Sequence, residues 1–333
     1  MAEKSNRIQW IDALKGFAIF CVTLGHLGCN ILLEKHIYSF HMFLFFFLSG
    51  YVDKTESLSF KQYSLKKIKR ILIPFISWNI LSNLVAIFMG SSLGDVINTT
   101  FLLNGEVCWN APIWFLLTIF LTQILYFILK KFLNLNDIVI MLISFLLWLV
   151  FSQRNILFKL NLVPMSMLFY VLGVFAQGKL QDKTGKSLLR KHTMVSCIVF
   201  IVLAFINIYF GVVHNVRIVY TKSIFGNVFY CLLAAISGIA LYVLLFQLFA
   251  FLGNNKLLNY LGRNSLIIMA SQFYFFTLYD VFAGFNVHLL RNTPKAFIMC
   301  IITIAFICLV TNTIKHVGKR NKLVNKVSAW FGL

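Results

Sequence analysis

Three ionisable side chains share one stripe of the first long apolar stretch of this chain. Asp12 and Lys15 stand in the run Trp10-Ile11-Asp12-Ala13-Leu14-Lys15-Gly16, and His26 follows with ten residues between it and the lysine. At ~100° per residue of helix, Lys15 and His26 fall within about 20° of each other, with Asp12 one turn before Lys15. The helical rise puts His26 roughly 16 Å deeper than Lys15. Such groups inside an apolar helix must be desolvated or paired, so they mark a functional site by default. Histidine supplies a base near neutral pH, and a cation beside it can hold an anionic ligand. The plainer alternative is a belt tryptophan, a snorkelling lysine paired with Asp12, and a histidine satisfied by a neighbouring helix.

A second segment reads Phe40-His41-Met42-Phe43-Leu44-Phe45-Phe46-Phe47-Leu48-Ser49-Gly50-Tyr51. His41 adds a second titratable ring. Ser49 and Gly50 read as a small-residue packing site between helices. Ser49 is read as a packing residue rather than a nucleophile, because no histidine pairs with it locally in sequence.

These residues need a membrane scaffold, and the composition provides one. The 333-residue chain is 60% hydrophobic and only 12% charged, with a mean hydropathy of +0.84. A soluble domain carries about 25% charged residues. The expected fold is therefore an all-α polytopic membrane protein of about ten transmembrane helices. The spans are expected near 10–33, 38–53, 71–90, 112–129, 137–153, 160–178, 192–213, 223–248, 264–284 and 296–314. The second is short and is expected to be tilted or broken. The basic stretch Leu58 to Arg70 is expected along the membrane surface. A single membrane domain over 1–333, with a short basic tail at 315–333, accounts for the whole chain. The first apolar stretch is too long and too charged for a cleavable leader.

The formal net charge is +20, which invites a nucleic-acid reading until its distribution is followed. With alternating sides, 22 basic residues fall on one side and seven on the other, and Lys15 sits within the first span. That bias is the positive-inside pattern with both termini cytoplasmic. The charge is topological, with some attraction to anionic membrane lipid, and no nucleic-acid partner is expected. The expected location is the cytoplasmic (inner) membrane. The orientation places Asp12 and Lys15 near the cytoplasmic surface and His26 in the outer half of its helix. Only ten acidic residues occur, which argues against a paired-carboxylate glycosidase centre and a carboxylate-rich metal site. The seven cysteines show no ligand spacing, so no metal is expected.

Together the two segments resemble the membrane-bound acyltransferase 3 family. The nearest likeness is to its branch of fucose O-acetylase-like proteins and other polysaccharide O-acetyltransferases. The family pattern is arginine or lysine, ten residues, then histidine in the first helix, followed by a segment close to Phe40–Gly50. The pieces Lys66-Lys67-Ile68-Lys69-Arg70-Ile71-Leu72-Ile73-Pro74-Phe75, Ile113-Trp114-Phe115-Leu116 and Leu261-Gly262-Arg263-Asn264-Ser265-Leu266 also resemble it. There are departures: Phe43 stands where the family usually has proline, Gln272 where a histidine often follows, and Lys15 replaces the commoner arginine.

The resemblance implies an acyl group, most simply acetyl, taken from acetyl-CoA on the cytoplasmic side. It is passed to a hydroxyl of a sugar in a surface polysaccharide or its lipid-linked precursor. His26 then accepts the hydroxyl proton or carries the acyl group transiently; the sequence leaves both routes open. Lys15 holds the donor, Asp12 orients Lys15, and His41 closes the pocket and shares acid/base work. Lys66, Lys67, Lys69 and Arg70 would hold donor phosphates, or anchor the helix as positive-inside residues. Trp114 would stack on adenine or sugar, or sit in the aromatic belt. The rival from another class is a transporter or flippase for a lipid-linked saccharide. It calls for Gly/Pro-broken helices in matching halves, and the four prolines form no matching pair. A glycosyltransferase using Asp95 or Glu106 in an outward loop is a further alternative.

Overall fold

A computed structural model describes residues 8–100, 102, 107–180, 193–283 and 291–333. Glu106, Lys4, Arg7 and the basic group Lys183, Lys186, Arg190 and Lys191 lie outside the described residues. The elements in chain order are α1 (Gln9–His26), α2 (Ile31–Tyr51), α3 (Phe60–Lys67), α4 (Ile73–Phe88), α5 (Leu93–Thr100), α6 (Trp114–Lys131), α7 (Asp137–Phe151) and α8 (Val163–Phe175). They continue as α9 (Thr193–Asn207), α10 (Val228–Leu248), α11 (Ala250–Gly253), α12 (Lys256–Arg263), α13 (Ser265–Ala283), α14 (Thr293–Arg320) and α15 (Lys322–Trp330). Among the described residues, extended pairing is limited to one isolated bridge, Val219 with Ile224.

Among the described residues, eight helices are long and apolar enough to cross a membrane. The two remaining expected spans correspond to α1, which carries Asp12 and Lys15, and to the 15-residue apolar α7. The chain is an all-α polytopic membrane protein.

Three expectations about these helices are corrected. The first span ends at His26, not at residue 33. Gly28 adopts φ 67°, a left-handed turn that stops the helix, and the Asn30 side chain caps the next one by accepting from the Leu32 N–H at 2.9 Å. The second span is neither short nor broken: α2 runs unbroken for 21 residues. Phe43 keeps its backbone N–H where a proline would not. The basic stretch is not a separate surface helix. A π-helical turn, Ile68–Leu72, joins α3 to α4, so Phe60–Phe88 is one apolar helix whose basic end projects from the third span.

Glycine sets two of the closest crossings. A Cβ on Gly16 of α1 would lie 1.9 Å from the Leu258 carbonyl oxygen, and one on Gly262 of α12 would lie 1.8 Å from that of Asp12. On the other flank, Gly50 of α2 faces the Tyr170 carbonyl and Gly173 of α8 faces that of Phe47. Hydrocarbon provides little driving force between apolar helices, so close backbone packing carries the association. The Ser49-Gly50 packing expectation holds for Gly50. Gln177 finishes α2 by donating from Nε2 to the carbonyls of Tyr51 and Asp53 at 2.8 and 2.9 Å. The basic tail is built from the end of α14 and from α15; α15 returns to α4, where Trp78 Nε1 donates to the Phe331 carbonyl at 3.1 Å.

Gly16→Val and Gly262→Val should each destabilise the fold by about 1–3 kcal/mol or more through overpacking. Thermal unfolding of the detergent-solubilised protein reads this directly. A variant melting with the wild type would show that the α1–α12 crossing is not close.

Candidate functional site

The helices enclose a cavity of about 1130 Å³ whose walls carry Asp12, Lys15, His26, His41, Lys66, Lys67, Arg70 and Trp114. Of the residues given catalytic or donor-binding roles from sequence, Lys69 alone does not border it. Helical phase explains the split: residues 66, 67 and 70 share a face, whereas Lys69 turns outward and is exposed. Ser49 also borders the cavity, and among the described residues no hydrogen bond joins it to a histidine.

One end of the cavity is basic. Lys15, Lys54, Lys66, Lys67, Arg70 and Arg263 meet there with Asp12 and Asp53. The glycine crossing of α1 and α12 brings Arg263 onto Asp12, with Nε 3.3 Å from Oδ2. Asp53 organises the other side: Tyr63 donates to its Oδ1 at 2.9 Å, and Lys67 Nζ lies 3.6 Å from the same oxygen. Lys67 also sits 4.7 Å from the centre of the Tyr63 ring. Burial disfavours the Asp53 carboxylate, but the Lys67 ammonium and the hydrogen bond donated by the Thr55 backbone N–H outweigh it and hold its pKa below the usual range. Lys66 and Arg70 have no carboxylate partner among the described residues.

The far end is aromatic and carries the histidines. The Tyr38 hydroxyl lies 3.1 Å from His26 Nδ1, and the Tyr38 ring packs edge-on against both His26 and His41. Gly25 makes room: a Cβ there would sit 3.0 Å from the Tyr38 ring. His41 Nδ1 is 2.7 Å from the Ile37 carbonyl. A carbonyl only accepts, so Nδ1 carries the hydrogen and Nε2 keeps the lone pair of the neutral ring. The Arg217 guanidinium lies 4.3 Å from the centre of the Tyr38 ring, and its Nε lies 3.0 Å from Oε2 of buried Glu34. Tyr220 donates to the Tyr38 carbonyl at 2.8 Å and stacks on Trp114 with ring centres 5.9 Å apart. Trp114 therefore lines the cavity, with one neighbouring aromatic already against it.

The segment that presents Arg217 and Tyr220 is tied down by a buried lysine. Lys159 Nζ donates to the Thr221 carbonyl and to Asn155 Oδ1, and Asn161 Nδ2 donates to Ser223 Oγ at 2.7 Å. Between the two ends the wall is largely apolar, with Ile19, Val22, Met42, Phe45 and Ile119. Gln123 of α6 interrupts it: its Oε1 is buried without a hydrogen-bond partner among the described residues. Gln272 is fully buried, donates from Nε2 to the Met269 carbonyl at 3.3 Å, and is not a wall residue.

Sequence reasoning did not single out Tyr38, Arg217, Arg263 or Gln123 as site residues. Tyr38 had a usable signal, being one turn before His41 on α2. Arg263 stood within the family-like Leu261–Leu266 piece, and Arg217 had no signal, because its partners are distant in the chain. His36 was also passed over; it bonds Asn207 Oδ1 and the Tyr242 hydroxyl, both at 2.7 Å, and ties α2 to α9 and α10.

The depressed Asp53 pKa makes a signed prediction. Its contribution to stability is present above the unfolded carboxylate value of about 4 and is lost as pH falls through the lower folded value. Asp53→Asn should melt below the wild type at pH 7, with the gap closing below about pH 4. A gap that stays constant across that range would remove Asp53 as an ionised anchor.

No curated protein matches the chain, and no solved structure does. A family model described as an acyltransferase domain matches residues 8–312. That match covers nearly the whole membrane domain, including both ends of the cavity, so the chain belongs to the acyltransferase 3 family.

Proposed function

We propose that this protein transfers an acetyl group from acetyl-CoA to a hydroxyl of a sugar in a cell-surface polysaccharide or its lipid-linked precursor, working in the cytoplasmic membrane. The observation that carries the reading is the continuity of one cavity. Its basic end offers Lys15, Lys66 and Arg70 to donor phosphates, and its far end offers His26 and His41 to the chemistry. The basic end is the side assigned to the cytoplasm by charge, where the donor is available. Arg217 and Tyr220, assigned to the opposite side, line the other end.

The donor's phosphates bind the cations at the basic mouth, and its pantetheine arm runs along the apolar wall. An amide N–H of that arm would satisfy the orphaned Gln123 Oε1. The thioester then lies between the two histidines. The acceptor hydroxyl oxygen attacks the thioester carbonyl while a histidine takes its proton. The tetrahedral intermediate collapses, the C–S bond breaks, and the departing thiolate recovers the proton. His26 can act through Nε2 when Nδ1 carries its hydrogen and donates to the Tyr38 oxygen. His41, with Nδ1 donating to the Ile37 carbonyl, presents Nε2 as the accepting atom of its neutral ring. Lys15, one turn from Asp12, offsets negative charge on the donor, with Asp12 and Arg263 setting the local charge balance.

The test is purified full-length protein in nanodiscs with radiolabelled acetyl-CoA and a crude cell-envelope glycan fraction, following CoA release and label transfer. His26→Ala should lose about a hundredfold or more in rate. Lys15→Ala should lose activity, and Lys66→Ala with Arg70→Ala should raise KM for the donor about tenfold with a smaller change in kcat. Lys69→Ala should match the wild type. Equal activity of the His26, Lys15 and wild-type proteins would end the assignment, as would absence of donor binding across several acyl-CoAs.

A further inference from the structure

The far end of the cavity holds a charge arrangement that acyl transfer as such does not call for. Glu34 is buried, with its side chain 3% exposed. Two guanidinium groups reach its Oε2, Arg217 Nε at 3.0 Å and Arg291 Nη1 at 3.6 Å. One carboxylate between two arginines leaves a surplus positive charge. A buried carboxylate is tolerated only when well paired, so Glu34 serves to hold Arg217 in place. Glu34 Oε2 pairs electrostatically with the Nε side of that guanidinium at 3.0 Å without the alignment of a hydrogen bond, and the guanidinium lies 4.3 Å from the centre of the Tyr38 ring. The terminal nitrogens remain as the edge suited to bidentate binding of a carboxylate or phosphate.

Arg217 borders the cavity beside Tyr38, Tyr220 and Trp114. Apolar and aromatic walls with a few fixed polar groups are what a specific small-ligand site presents. The same tyrosine carries the arginine on its face and the base on its hydroxyl, 3.1 Å from His26 Nδ1. The anion-binding group and the base are thus held about one tyrosine side chain apart, which is the scale of a single pyranose ring.

Building on the acyltransferase reading above, we infer that the far end is an anion site centred on Arg217. It takes an acceptor sugar that carries a negative charge, a carboxylate or a phosphate ester, on the ring that is acylated. Glu34 is a positioning residue for Arg217. The donor's phosphates occupy the other end of the same cavity, so the two anionic substrates enter from opposite sides and meet at the histidines.

The experiment compares glucose, glucuronate and glucose 1-phosphate on the full chain in nanodiscs. It has a binding arm, intrinsic tryptophan fluorescence without donor, and a transfer arm with radiolabelled acetyl-CoA. At least one anionic sugar should bind about tenfold more tightly than glucose, and Arg217→Gln should erase that preference. Arg217→Lys should keep part of it, since the charge remains without the fork. The double variant Glu34→Gln with Arg217→Gln removes the buried carboxylate together with its partner, and it should fold yet show no preference. Preference for glucuronate over glucose 1-phosphate would assign the carboxylate, and the reverse the phosphate. Equal binding of all three sugars by the wild type would overturn the inference. So would an Arg217→Gln variant that slows transfer to every acceptor alike, which would place Arg217 at the reacting carbonyl instead. Arg217-dependent anion binding without transfer to any sugar would keep the anion site and remove the acyltransferase reading.

Discussion

Ionisable groups inside a hydrocarbon layer must face one another or a polar cavity, and the arrangement of this protein follows from that constraint. Asp12, Lys15 and His26 lie along one stripe of α1, so whatever packs against that stripe must accommodate charge at one end and an imidazole at the other. The chain meets this by leaving the stripe open to a cavity rather than burying it against helices. Where backbone does close on α1, it does so at Gly16, and the partner is a second glycine, Gly262, followed directly by the arginine that pairs with Asp12. Packing and charge pairing are therefore one event at this crossing.

The second helix is the spine on which the histidine-bearing end is assembled. Its unbroken 21 residues carry Glu34, Tyr38 and His41 on successive turns, then Gly50 at the crossing with α8. Phe43 stands within this run and packs on Phe169 with ring centres 4.5 Å apart. Proline at that position would remove a backbone donor and favour a bend; the phenylalanine keeps the helix whole and fills the core beside Tyr220. The outer segment, fastened through Lys159 and Asn161, then delivers Arg217 and Tyr220 onto the Glu34–Tyr38 edge of the spine. Ordinary surface loops are mobile; this one is fixed by buried polar bonds, which suits a wall of a binding site.

The cavity thus joins two chemically different ends. Under the proposed reading, the basic end takes the donor's phosphates and the far end takes the acceptor ring. Family membership supports acyl transfer in general, and the cavity holds residues of the kinds the proposed reaction would use: imidazoles at one end, cations at the other, and a path between them. Lys15 in place of the commoner arginine fits this division of labour. A lysine is a compact point charge without a bidentate fork, and Arg70 and Arg263 supply forks at the same mouth.

The amino-acid sequence by itself determined the membrane character, the helical class and the Lys15–His26 stripe. These are local or periodic properties, readable from composition and from a 3.6-residue repeat. It also placed His41 and the Lys66–Arg70 group at the site, although helical phase within that group, which separates Lys69 from its neighbours, was legible and went unused. The turn that ends α1 was legible too, in Gly28 and Asn30. Tertiary structure alone decided that Arg263 meets Asp12 across 251 positions of chain, that Arg217 and Arg291 converge on Glu34, and that Tyr38 joins the two histidines. Those contacts depend on which helices cross and how closely, and that is set by glycines whose partners are backbone carbonyls on distant segments. No local pattern encodes such a partner.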